Sequence, residues 1–170
     1  DIAVKGGRSE GLASLNKLKK FKYYANTRNT MAIDTTKLSA HNKFGTISVR
    51  EAYYAMISKA KSVDLAKQLY WRDFYYYVGT YFDTFYTHDH IYKKPKKKSA
   101  PWENDKKMLK AWKTAQTGFP IVDAAMTELN TTGFMHNRGR MIVASFLAKD
   151  LLIDWKYGEQ YFSQKLVDID

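Results

Sequence analysis

Between Met135 and Met141 the chain sets His136, Asn137, Arg138 and Arg140, an imidazole, an amide and two guanidiniums, just ahead of a long apolar run. The start of a helix leaves N–H groups unpaired and carries about half a positive charge. Two guanidiniums added there make an anion site, or they call for a carboxylate. A buried guanidinium with no partner is strongly unfavourable, so a partner must exist. Asp168 and Asp170, at the far end of the sequence, supply one. An Arg140–Asp168 pair would be short and charge-assisted. Asn137 and Met141 are one helical turn apart and share a face. That face joins an amide to a soft thioether and suits a flat polar ligand.

The elements that must position these groups read as helical nearly throughout. Ser9 is a plausible N-cap, followed by an apolar stripe of Leu12, Leu15, Leu18, Phe21 and Tyr24 at steps of three. Residues 25–46 read as irregular, dense in Asn, Thr and Asp, with Gly45 closing the segment. Ser48 with Glu51 predicts a capping box for the next helix. The run VDLAKQLYWRDFYYYVGTYF predicts a long helix, apolar on most faces, in the middle of a bundle. Residues 87–107 read as a loop broken by Pro95 and Pro101. A short helix MLKAWKTA follows, then a helix with Pro120 in its first turn and its end at Thr132-Gly133. The helix that carries Arg140 is expected to run to Tyr157-Gly158, with EQYFSQKLVDID after it. No β-alternation or repeat is visible. The fold class is all-α, with no second domain.

The chain has 170 residues, enough for one ordinary domain, and 45% of them are hydrophobic. Cysteine is absent, which excludes disulfides and thiolate metal sites. No apolar run is long enough to span a membrane, and no signal-peptide pattern leads the chain, so an intracellular, cytoplasmic or nuclear location is expected. The first residue is Asp, which reads as a cut or processed end. The net charge is +11 and 15% of residues are aromatic. Lys and Arg can track phosphates while flat rings stack on bases, which points to nucleic acid. His88 and His90 alternate in a loop with no third ligand, so no metal is expected there. The KKPKKK run reads equally as a DNA-flanking arm, a nuclear address or a solvated loop.

Several long motifs carry a resemblance. GRSEGLASLNKL, TTKLSAHNKFGTISVREAYYA, QLYWRDFYYY, TGFPIVDAAMTEL and TGFMHNRGRMIVASFLAKDLLIDW, with LVDID, resemble the FAD-binding helical domain of DNA photolyases and cryptochromes. They cover nearly the whole chain in the family's order. MHNRGRM resembles the branch that repairs cyclobutane pyrimidine dimers.

The resemblance implies a cofactor, FAD, and a substrate, DNA containing pyrimidine dimers. It implies that Tyr24 and Thr35, Thr36, Leu38 and Ser39 hold the pyrophosphate and ribityl chain. Hydroxyls and backbone N–H groups can cradle a diphosphate without burying formal charge. Arg140 with Asp168 would flank the isoalloxazine, and Asp170 would bond its polar edge. Asn137 and Met141 would line the boundary between flavin and substrate, with Arg138 toward DNA phosphate. Trp71 resembles the ring that stacks on the flipped-out dimer, and Gln68 stands where the family often has Glu. Arg72 resembles a contact to flavin or DNA phosphate. Trp102 and Trp155 resemble the outer and middle members of an electron-transfer chain.

The resemblance also implies that residues 1–170 are a partial flavin domain, lacking an α/β antenna domain before it and the final helices after it. The expected activity is therefore that of a deoxyribodipyrimidine photo-lyase, exerted as part of a longer or split enzyme. A complementary C-terminal polypeptide is the expected partner; otherwise the chain is expected to be monomeric. A cryptochrome-like photoreceptor and an inactive remnant are the alternatives.

Overall fold

The computed structural model describes residues 2–82 and 101–169. The His88–His90 segment, the KKPKKK run and Asp170 lie outside the described residues. In order, the helices are α1 (Arg8–Asn16), α2 (Tyr24–Thr27), α3 (Leu38–Lys43), α4 (Val49–Ala55), α5 (Val63–Tyr81), α6 (Lys106–Lys113), α7 (Pro120–Thr132), α8 (Asn137–Ser145) and α9 (Trp155–Lys165). Among the described residues no strand occurs, so the all-α expectation holds.

The apolar residues segregate into two clusters. Leu15, Leu18, Leu38, Ile47, Met56, Leu65 and Leu69 form the first, drawn from α1 to α5. Trp112, Val122, Met126, Leu129, Met135, Val143, Leu147 and Ile153 form the second, drawn from α6 to α9 and the turns between them. Met31 reaches from the first half of the chain to pack on the second cluster. Trp112 is fully buried and donates its indole N–H to Val143 O at 3.0 Å, which fixes α6 against α8. A buried indole keeps its position only when that N–H finds an acceptor.

Several local expectations hold. Ser48 and Glu51 form a capping box. Pro120 opens α7, and Gly133 closes it in the left-handed conformation at φ 69°, where other residues carry a steric penalty. Other expectations are corrected. α1 begins after Gly7, and Ser9 makes no cap. The stripe at steps of three does not continue one α-helix: Lys17–Phe21 is a 3-10 segment, whose period of three keeps such residues aligned. Leu15 and Leu18 are buried, but Leu12 is exposed. The stretch expected to be irregular contains α2 and α3.

α8 does not run to Tyr157. It widens into a π-helical turn at Phe146–Asp150, and left-handed Leu152 (φ 48°) breaks the chain before α9. Asp154 then caps α9 by accepting the Lys156 N–H at 3.1 Å. Gly158 lies inside α9, not at a helix end. A Cβ there would fall 2.6 Å from Leu147 Cδ2, so the glycine lets α9 cross closely over the end of α8. α5 is also not central. It buries Leu65, Ala66, Leu69 and Gly79, while Tyr70, Trp71, Phe74, Tyr75 and Tyr77 are exposed. No helix among the described residues is long and apolar enough to cross a membrane.

Candidate functional site

A cleft of about 810 Å³ separates the two lobes. That volume lies within the range of small-molecule and cofactor sites. Its floor is apolar, with Leu38, Met56, Leu65, Leu69, Met135 and Ile169, and polar groups stand on its walls.

The second lobe contributes the start of α8. His136 is the N-cap: its Nδ1 accepts the Arg138 N–H at 3.1 Å. Burial pushes the His136 imidazole below its usual range; Glu128 opposes that shift, and Arg138 and Arg140 add to it. The neutral ring keeps Nδ1 free to accept. Arg140 points inward from the first turn. One of its terminal nitrogens donates to both Asp168 oxygens, at 2.9 and 2.8 Å, and its Nε donates to Met135 O at 2.9 Å. The guanidinium also lies 5.5 Å from the centre of the Phe134 ring. The pair belongs to one wall and meets directly, so the two charges do not face each other across the cleft. Asn137 Nδ2 and Arg138 Nη1 approach Met141 Sδ at 3.9 and 3.6 Å, the shared face that the helical spacing predicts. Arg138 also donates to Asn29 Oδ1, a link between the lobes.

The first lobe contributes a strap and a helix. Thr35, Thr36 and Lys37 are half-buried, and Lys37 takes the left-handed conformation (φ 50°) that turns the chain into α3. Thr36 Oγ1 accepts the Leu38 N–H at 3.4 Å. Lys37 Nζ lies 5.7 Å from the Phe134 ring centre, a second link between the lobes. Tyr24 packs against the first apolar cluster and lines the cleft, its phenol pushed up by burial. On α5, Gln68 donates its amide to Asp64 O at 3.0 Å. Trp71 is 56% exposed and packs edge-to-face on Phe74 at 5.7 Å. Among the described residues Trp71 belongs to neither apolar cluster.

Within the described chain, every residue expected at the cofactor or the substrate lines this cleft: Tyr24, Thr35, Thr36, Leu38, Ser39, Gln68, Trp71, Arg72, Asn137, Arg138, Arg140, Met141 and Asp168. Trp102 and Trp155 do not. Their segments are instead tied to each other. Glu103 N donates to Leu152 O at 2.8 Å, and Asp154 N donates to Asn104 Oδ1 at 2.8 Å.

The sequence reading missed Asn29, Asn42, Tyr75 and Phe134, which also line the cleft, and the capping role of His136. Asn42 follows Leu38 by four positions, so a helical reading of the strap would have put it on the same face. Among the described residues, five cations, Arg28, Lys37, Arg72, Arg138 and Arg140, line the cleft against one carboxylate, Asp168. Such walls suit a polyanion lying on an apolar floor.

The sequence profile of the FAD binding domain of DNA photolyase matches residues 65–170. A deoxyribodipyrimidine photo-lyase of Synechococcus sp. is 45% identical over 147 residues, covering 80% of this chain and 30% of that protein. Cryptochrome DASH of Synechocystis sp. is 37% identical over 183 positions, covering 99% of this chain and 37% of that protein. The solved archaeal photolyase of Sulfolobus tokodaii, which holds two FAD molecules, is similar at a TM-score of 0.86 and 41% identity, covering 99% of this chain and 37% of that one. The chain spans roughly a third of the length of these relatives.

Proposed function

The chain belongs to the FAD-binding domain family of DNA photolyases and cryptochromes, and on that premise we propose that it serves light-driven repair of cyclobutane pyrimidine dimers in DNA, as part of a longer or split photolyase. One observation carries the proposal: the hydroxyl strap, the Arg140–Asp168 pair and exposed Trp71 converge on one cleft. The residues present fit FAD. The apolar floor suits a tricyclic ring, and excess cations on the walls suit a diphosphate.

When bound, reduced FAD supplies the excited-state electron that opens the cyclobutane ring and is then returned. The protein's part is binding and orientation. Thr35, Thr36, Leu38 and Ser39, with Tyr24 in the same cleft, hold the diphosphate side through hydroxyls and backbone N–H groups. Arg140, fixed by Asp168 and Met135 O, holds positive charge at the ring. Asn137 and Met141 separate flavin from substrate. Trp71 offers a face to an extruded dimer, with Gln68 beside it and Arg72 and Arg138 for phosphate. A dimer stacks poorly, so taking it out of the duplex costs least at the lesion. Trp102 and Trp155, on segments joined by hydrogen bonds, serve as electron-transfer residues.

The test is an absorption spectrum after gel filtration, with the chain alone and with a polypeptide that completes the flavin domain. The expected result is weak or absent flavin alone, and a stoichiometric flavin band with repair of a dimer-containing oligonucleotide under blue light when complemented. A complemented sample that binds no flavin overturns the proposal. A second reading, a blue-light photoreceptor, is favoured by the match to cryptochrome DASH along almost the whole chain. Bound flavin without repair would select it.

A further inference from the structure

The positive charge of the chain is not spread evenly. Residues 2–82 hold fourteen Lys and Arg against five Asp and Glu, whereas residues 101–169 hold nine against eight. Between Glu10 and Asp34 there is no carboxylate, and Lys17, Lys19, Lys20, Lys22 and Arg28 fall in that interval. All five are exposed. Among the described residues no carboxylate pairs with any of them, and Glu51, Asp34 and Asp64 are taken by Arg8, Lys37 and Lys67.

The local winding turns that composition into a surface. Lys17–Phe21 is a 3-10 segment, so side chains three positions apart eclipse one another. One row, Leu18 and Phe21, packs on the first apolar cluster, as does Tyr24 beyond it. The other two rows are Lys17 with Lys20 and Lys19 with Lys22. An α-helix would scatter these four lysines around its axis. Here they share the side away from the core, with Lys17 and Lys20 about 6 Å apart along the axis. Tyr23, 66% exposed, adjoins them, and Lys22 Nζ lies 5.5 Å from its ring centre. Like charges held this close repel, and a bound polyanion relieves the repulsion.

Two features decide which polyanion. The apolar row is used by the core, so the segment has no free apolar face to lay into a lipid surface. The lysines also lead toward the cleft: Lys22 and Tyr23 are followed by Tyr24 and Arg28, both of which line it. A DNA strand that leaves the cleft on that side meets the lysine rows.

We infer that Lys17, Lys19, Lys20 and Lys22, with Tyr23, form a second DNA contact outside the cleft, which tracks backbone phosphates of the duplex flanking the lesion. The lysines neutralise phosphates and the Tyr23 hydroxyl donates to one, so the contact is blind to sequence and to damage. For the identity of the polyanion the inference rests on the DNA-repair reading, but the contact itself needs neither flavin nor lesion.

The experiment measures binding of an undamaged DNA duplex to the 170-residue chain in the dark, by fluorescence anisotropy over a series of salt concentrations. Wild type is compared with K17Q/K19Q/K20Q/K22Q. A control, K106Q/K107Q/K110Q/K156Q, removes the same charge from exposed positions of the second lobe. Each neutralised phosphate contributes about 0.9 to the salt slope. The expected result for the first variant is a slope shallower by about 3 and binding weakened about a hundredfold near ~0.1 M salt, with the control close to wild type. Without DNA, the first variant should melt at or above the wild-type temperature, because lysines that repel one another are gone. An unchanged slope, or a control that loses as much, overturns the inference and leaves the repair reading standing. A wild-type chain that binds no duplex at low salt also overturns it, as does a melting temperature that falls together with affinity. A complemented protein that binds no flavin overturns the repair reading instead, and the slope difference still decides the second contact.

Discussion

Arg140 and Asp168, 28 positions apart, meet at 2.8 Å in the cleft wall, with the Asp168 side chain 1% exposed and that of Arg140 24% exposed. The asymmetry in burial decides what each deletion does. Arg140→Met leaves a buried carboxylate uncompensated and is expected to cost about 3 kcal/mol. Asp168→Asn leaves a guanidinium that still reaches water and keeps Met135 O, so about 1–2 kcal/mol is expected. Urea denaturation of both variants and of the double mutant checks this. The double mutant should lose less than the sum of the two, because each single change strands a partner.

Glu51 sits at the junction of α1 and α4. Its carboxylate accepts both arms of Arg8, at 2.7 and 2.6 Å, and the Ser48 N–H at 2.8 Å. The hydrogen bonds from Arg8, then from Ser48, lower its pKa from 4.5 to about 2. A depressed folded-state pKa gives stability that is present above pH 4.5 and is lost as pH falls toward about 2. Glu51→Gln should flatten the acid limb of a stability–pH curve over that window. High salt should flatten it in the wild type too, since the pair is exposed.

Gly158 tests how closely α9 crosses α8. An added methyl would fall 2.6 Å from Leu147 Cδ2, so Leu147 must move within a filled cluster. Gly158→Ala is expected to destabilise by about 1–3 kcal/mol, against the usual gain for alanine inside a helix. A melting temperature equal to or above that of the wild type would show that the contact yields freely.

Trp71 separates binding from folding. It is 56% exposed, so Trp71→Ala should leave the unfolding free energy within about 0.5 kcal/mol of wild type. In the complemented protein, the same change should weaken binding to a dimer-containing oligonucleotide by about tenfold, the loss expected of one stacked base. A gel-shift titration with damaged and undamaged DNA distinguishes a lesion contact from general affinity.

What was legible in the sequence was local or was carried by a motif. The capping box at Ser48 and Glu51, Pro120 at the head of α7 and Gly133 at its end each depend on residues within one turn. The charge logic at Arg140 was legible for a similar reason: a guanidinium behind a helix start needs a carboxylate, and few were near enough in type and context.

Misread features depended on what lies across a gap. The aromatic density of α5 suggests a buried helix, yet only one of its faces meets the first lobe. The break after α8 carries no glycine or proline. Leu152 takes a left-handed turn because Ile153 N reaches back to Leu147 O at 3.1 Å and Glu103 N takes Leu152 O.

The sequence by itself determined the all-α class, the helix boundaries at Ser48, Pro120 and Gly133 and the chemistry available to a site, since those follow from short-range hydrogen bonding and from side-chain type. Only the tertiary structure decided that α3 and α8 line one cleft and which of its buried polar atoms stay unpaired. Those outcomes depend on how two apolar clusters, bridged by Met31, leave a space between them. No single segment of the chain encodes that space.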